Sequence, residues 1–189
     1  MSRAQLEHVL RAAAKIVDDP DLLVIGSQAI LGTYPEDRLP AETTTSIEAD
    51  LAFLADPDGS KADWVDGAIG ELSRFHQRFG YYAQGVGVTT AVLPLGWQER
   101  KVDFISPDAA PARARCHEPH DCVVARLVAG RAKDRAFAAA LIRERLVEPE
   151  TMLTRIRVLP GVEAGLATRL EAWVRREAWV RREAGRSAG

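Results

Sequence analysis

The apolar run Leu22-Leu23-Val24-Ile25, stopped by Gly26-Ser27, constrains this chain more than any other feature. Four residues are too few for a buried helix, and an apolar run that ends at glycine predicts a buried strand. The chain then enters Gln28-Ala29-Ile30-Leu31, which predicts a turn into a helix whose first backbone N–H groups face an incoming anion. Next comes Ile47-Glu48-Ala49-Asp50-Leu51-Ala52-Phe53, with Glu48 twenty-one residues after Ser27. Alternation puts Glu48 and Asp50 on one face, roughly 7 Å apart along the backbone, and Ile47, Leu51 and Phe53 on the other. A third acid, Asp103, sits in Lys101-Val102-Asp103-Phe104-Ile105. If its strand neighbours the first, three carboxylates share two divalent cations beside a phosphate-holding turn. Taken singly, each piece has an ordinary use: acids on a solvated strand face, or Gly-Ser as a helix N-cap.

In this order the residues resemble the nucleotidyltransferase superfamily of the polymerase β type, whose signature is hG[GS], a spacer, [DE]h[DE]h and a later acidic residue on a strand. Within it the chain is similar to the MenT/AbiEii-like toxins of bacterial toxin–antitoxin pairs. A second match is Pro119 to Asp134, which includes Arg126-Leu127-Val128-Ala129-Gly130-Arg131-Ala132-Lys133-Asp134 and is similar to the family's helical K-L-x-A-x-R-x-K-D stretch. Glu48 stands where Asp is more usual, and Arg126 where relatives often carry Lys. Arginine keeps the charge but does not serve as an acid or base near neutrality.

The resemblance implies an α/β fold: a small mixed, largely antiparallel sheet with flanking helices and a helical C-terminal half. It implies metal-dependent transfer of a nucleoside monophosphate from an NTP to an acceptor hydroxyl, here the 3′ end of tRNA, blocking translation under control of a cognate antitoxin. Glu48, Asp50 and Asp103 are then the catalytic residues and hold two Mg²⁺ ions, with Gly26, Ser27, Arg126, Arg131 and Lys133 on the nucleotide. Two other readings stay open: transfer to a protein or small-molecule (aminoglycoside-like) hydroxyl, and a non-catalytic nucleotide- or partner-binding module.

The helix that would carry the cations has its own geometry. If residues 120–133 form one helix, Val123, Val124, Leu127 and Val128 make a core stripe, while Arg126, Gly130 and Lys133 share another face. Arg131 then falls inside the apolar stripe. A buried guanidinium needs an anion, so Arg131 marks either a helix broken at Gly130 or an inward-facing clamp.

Composition fits a soluble chain of 189 residues with 47% hydrophobic and 28% charged residues. We expect a catalytic core over residues 1–115 and a helical part over 116–189 packed on it as a single compact unit. No apolar run approaches membrane-spanning length and Ser2 to His8 holds no apolar signal core, which points to no membrane and a cytoplasmic location. Charge is uneven: residues 1–99 carry 7 Lys/Arg and 15 Asp/Glu, residues 100–189 carry 18 and 12. The basic half suits a polyanionic substrate. Cys116-His117 and His120-Cys122 match no common zinc spacing, and the two cysteines read as reduced thiols.

Along the chain, periodicity predicts helices over 3–17 and 64–79, a long polar loop over 32–45, and short strands over 81–84 and 88–93. Beyond Pro107 it predicts almost only helix, over 119–133, 134–147, 149–157 and 161–184. The tail repeats Glu171-Ala-Trp-Val-Arg-Arg176 as Glu177-Ala-Trp-Val-Arg-Arg182. A period of six rotates successive copies by about 120°, so Trp173 and Trp179 face different ways.

Overall fold

The N-terminal helix α1 (Arg3–Val17) begins where local chemistry dictates. Gln5 N–H donates to the Ser2 hydroxyl at 3.1 Å and Ser2 N–H donates to the Gln5 side chain at 2.8 Å, a reciprocal cap that satisfies two otherwise unpaired donors. Leu6, Val9, Leu10, Ala13 and Val17 form its buried stripe, and Asp18, in the left-handed region at φ 51°, ends it. The computed structural model describes residues 1–187, and these divide into two compact units. One comprises Met1–Ala91 and Arg100–Glu118; the other comprises Val92–Glu99 and the chain from Pro119 onward. The boundary thus lies three residues beyond the expected one, and the segment Val92–Glu99 groups with the helical half.

The first unit is α/β. Its sheet holds β1 (Asp21–Ile25), β2 (Glu48–Phe53), β3 (Tyr82–Gly85), β4 (Val102–Phe104) and β5 (Arg113–Cys116) in the order β3-β2-β1-β5-β4. β1 pairs antiparallel with β2 and β4 with β5, while β1–β5 and β2–β3 are parallel. Register carries one residue in two to the same side of the sheet. Leu22, Val24, Ala49, Leu51, Phe53, Ala83, Phe104, Ala114 and Cys116 share one face, and all are buried. Asp21, Glu48, Asp50, Tyr82, Gln84, Asp103, Arg113 and Arg115 share the other.

Several local expectations change. The turn after β1 is a 3₁₀ helix over Gly26–Gly32, and the polar loop holds the short helix α2 (Ala41–Thr44). The helix expected over 64–79 is two: α3 (Ser60–Ile69) and α4 (Arg74–Phe79). Gly70 ends the first, and Leu72, between the two, is 77% exposed at φ 63°. Residues 88–90 form a 3₁₀ turn where a strand was expected. β5 was not foreseen. Its Arg-Ala-Arg-Cys alternates exposed and buried, but four residues with two arginines carry too little apolar signal to read as a strand.

The second unit is helical: α5 (Pro119–Ala129), α6 (Ala132–Arg143), α7 (Pro149–Arg157) and α8 (Ala164–Ser187). Val123, Val124, Leu127, Phe137, Leu141, Met152, Ile156 and Val174 are buried in it. The six-residue repeat lies on α8 with its copies turned apart, since Val174 is buried and Val180 exposed. No helix among the described residues is long and apolar enough to cross a membrane.

His117, at the end of β5, donates its backbone N–H to the Val24 carbonyl at 3.4 Å. Burial, and then the charge of Lys101, pull its imidazole down to about 4. The native state therefore holds it neutral, so its contribution to stability is complete above the unfolded value near 6.5 and disappears as pH falls through about 4. Between pH 7 and pH 4 the wild type should lose about 3 kcal/mol more than His117→Gln. Urea midpoints of both chains across that range check this, and parallel curves would refute it.

Candidate functional site

The turn at Gly26 and the acidic end of β2 meet in the first unit. Register sets Asp50 opposite Ile25, the residue before the turn. Gly26 then takes φ +66°, and a Cβ built there would lie 2.1 Å from Asp50 Oδ2. Only glycine accepts both the left-handed backbone and that approach. Ser27 follows, nearly buried, with the rest of the 3₁₀ helix. Glu48 lies two residues before Asp50 on the same face, next to Tyr82, which is its register partner on β3.

Tyr82 donates its hydroxyl to Glu48 Oε2 at 3.2 Å. Burial first, then the negative charges of Glu48, Glu71 and Asp50, push the phenol up to about 12. It is therefore a fixed donor at neutral pH and not a base. The His76 ring lies against it, centroids 4.7 Å apart. Tyr82 and His76 were not foreseen as part of this cluster. The only hint was the alternation Tyr82-Ala83-Gln84, which carries no information about which strand lies alongside.

Asp103 does not join them. It points to the same face, but β5 and β1 separate β4 from β2, so three strand spacings, roughly 14 Å, lie between. The condition that β4 neighbour β2 is not met. Asp103 is 73% exposed and faces its register partner Arg115, with Nε 3.6 Å away. Among the described residues no three His, Cys, Asp or Glu side chains are grouped to hold a metal ion.

The cations expected on the nucleotide belong to the second unit, and two of them converge on one buried acid. The helix is broken at Gly130, φ +74°, so Arg131 caps α6 and is not part of an apolar stripe. Its Nε lies 2.7 Å from Asp134 Oδ2, and Arg126 Nη2 lies 2.8 Å from Asp134 Oδ1. Asp134 is fully buried and the Arg126 side chain is 11% exposed, its guanidinium over the Phe137 ring at 4.5 Å. With the helix broken before it, Arg131 is 57% exposed and its position no longer requires a buried anion; its partner is Asp134, three residues along. Lys133 is exposed.

No protein-family model, curated protein or solved structure matches this chain.

Gly26→Ala should cost roughly 1–2 kcal/mol from the left-handed backbone alone, and more as the methyl displaces the Asp50 carboxylate. Urea denaturation measures the loss, and an unchanged midpoint would contradict the close approach. In the second unit, Asp134→Ala strands a buried guanidinium and should cost about 3–5 kcal/mol. Arg126→Ala should also destabilise, and the double variant should lose clearly less than the sum. Additive losses in that cycle would show that the two side chains do not act as a pair.

Proposed function

We propose that this protein is a cation-dependent nucleotidyltransferase that moves a nucleoside monophosphate from an NTP to an acceptor hydroxyl. The observation that carries the reading is the contact of the Gly26 turn with the Asp50 carboxylate, with Glu48 on the same strand face. Phosphoryl-group chemistry needs that combination: backbone donors to hold a phosphate, beside carboxylates that hold a cation against it. Mg²⁺ is commonly bound by one or two carboxylates, with waters and substrate phosphates completing its shell. Glu48 and Asp50 fit one such ion. A second ion would need donors that Asp103, on β4, does not bring.

When bound, Mg²⁺ lowers the pKa of an attacking hydroxyl and offsets the charge of the phosphates. The chain's own groups do the rest. Gly26 and Ser27 hold a phosphate oxygen through N–H groups and a hydroxyl. Tyr82, protonated at working pH, keeps Glu48 turned toward the ion. The acceptor oxygen bonds to the α-phosphorus, the bond to the bridging oxygen breaks, pyrophosphate leaves, and the hydroxyl proton passes to solvent.

The resemblance to MenT/AbiEii-like proteins supports tRNA as acceptor, a cytoplasmic toxin role and a cognate antitoxin. The excess of Lys/Arg in residues 100–189, 18 against 12 acids, supports a polyanionic acceptor. That support is moderated because Arg126, Arg131, Arg155, Arg175 and Arg181 are engaged in ion pairs. The second reading, a non-catalytic module that binds a nucleotide or partner, is favoured by the lack of a three-ligand group among the described residues.

Incubation with Mg²⁺, each α-labelled NTP and total tRNA, with protein as control acceptor, should label tRNA from at least one NTP. Asp50→Ala should lower transfer at least about a hundredfold, a loss of about 2.7 kcal/mol, whereas Asp103→Ala should stay within about threefold of wild type. Equal loss in both variants would overturn the two-carboxylate site. Nucleotide binding without transfer to any acceptor would decide for the second reading.

A further inference from the structure

The second unit contains a cavity of about 360 Å³ where the broken end of α5 meets α8. Its apolar wall is Leu127, Leu166, Leu170 and Trp173, and Arg135, Arg169 and Arg176 also line it. On α8, residues 166, 169, 170, 173 and 176 recur at i, i+3, i+4, i+7 and i+10, the spacing of one helix face. The apolar positions Leu166, Leu170 and Trp173 and the cations Arg169 and Arg176 therefore share a single stripe. The break at Gly130 matters too: α5 stops there, and the chain turns into α6, which brings Arg135 to the same cavity.

The cavity gathers cations without acids. Most other arginines of the helical unit have a local acid: Arg126 and Arg131 have Asp134, Arg155 has Asp121, Arg157 and Arg175 have Glu171, and Arg181 has Glu148. Arg145 and Arg182, which are exposed and do not line the cavity, have none among the described residues. No acidic side chain lines the cavity. Arg135 and Arg169 are exposed and have no ion-pair partner among the described residues. Arg176, itself exposed, has only its half-buried neighbour Glu177, at 3.5 Å. A volume of this size lies at the low end of the range for small-molecule sites, roughly 300–1,000 Å³.

We propose that this cavity binds a small organic anion: a flat apolar or aromatic body against Leu127, Leu166, Leu170 and Trp173, with its carboxylate or phosphate held by Arg135 and Arg169. The site is independent of the nucleotidyl-transfer reading, which uses no residue of this cavity. A neutral apolar ligand would leave the two guanidiniums unanswered. A simple inorganic anion would leave the apolar wall uncovered. Only a ligand with both parts satisfies both.

The test is calorimetric titration of the full chain with 2-naphthoate and with 1-naphthyl phosphate, using 2-naphthol and inorganic phosphate as the half-ligands. One of the two anions should bind with one-to-one stoichiometry and at least tenfold more tightly than either half-ligand, and the better of them identifies the acid group. Arg135→Gln with Arg169→Gln should weaken that binding at least tenfold with no change in thermal melting, because both side chains are exposed. Trp173→Leu should weaken it while leaving any inorganic phosphate binding unchanged. Equal affinity for the naphthyl anions and either half-ligand would overturn the proposal. So would full affinity in the double arginine variant. A glutamate-rich helical peptide that bound tenfold more tightly than both naphthyl anions would reassign the face to a protein partner and overturn it as well.

Discussion

Strand β1 is hydrogen-bonded on both edges, antiparallel to β2 and parallel to β5, and the rest of the first unit depends on that. Its residues Leu22 to Ile25 are buried on both faces, so register is fixed by its neighbour: a one-position slip of β2 would carry Glu48 and Asp50 onto the face of Leu51 and Phe53. Pairing with β2 sets Asp50 opposite Ile25, and the next residue, Gly26, leaves the sheet beside that carboxylate. Pairing with β5 occupies the other edge and sends β4, with Asp103, one position farther out. One strand thus brings Asp50, with Glu48 two residues before it on β2, to the turn's side of the sheet and keeps Asp103 away.

The charged residues of the sheet lie on one face, beside buried Leu23, Ile25 and Ala52, and this explains why a correct reading of side-chain direction gave an incomplete site. Glu48, Asp50 and Asp103 do share a face. Sharing a face is a statement about period two within each strand. Proximity is a statement about which strands are adjacent, and adjacency came from four residues, Arg113 to Cys116, whose apolar signal is only Ala114 and Cys116. Arg115, placed across from Asp103, gives that carboxylate a local cationic neighbour.

In the helical unit the organising group is Asp134. A carboxylate with no exposure needs cations, and it has two, from the end of α5 and the cap of α6. The break at Gly130 is what lets both arrive: a continuous helix would carry Arg131 past it. The residues Arg126, Arg131 and Asp134 are therefore accounted for by the fold itself. Arg135 at the start of α6 and Arg169 on α8, both without an acid among the described residues, meet instead at the cavity.

Much was legible in the order of residues. The extent of α1, the β1 strand, the opposed faces of β2, the β4 strand and the helical character beyond Pro119 follow from periodicity and capping, which are local. The alternatives for Arg131 were also correctly framed, because burying a guanidinium is costly wherever it occurs. What only the tertiary structure decided was long-range: that β5 exists and intervenes between β1 and β4, that Tyr82 stands beside Glu48, and that Asp134 is the anion for both arginines. Local sequence sets the direction and period of side chains through backbone geometry. Which strands and helices become neighbours is settled by burial and by charge neutralisation summed over residues far apart in the chain, and no window of sequence contains that sum.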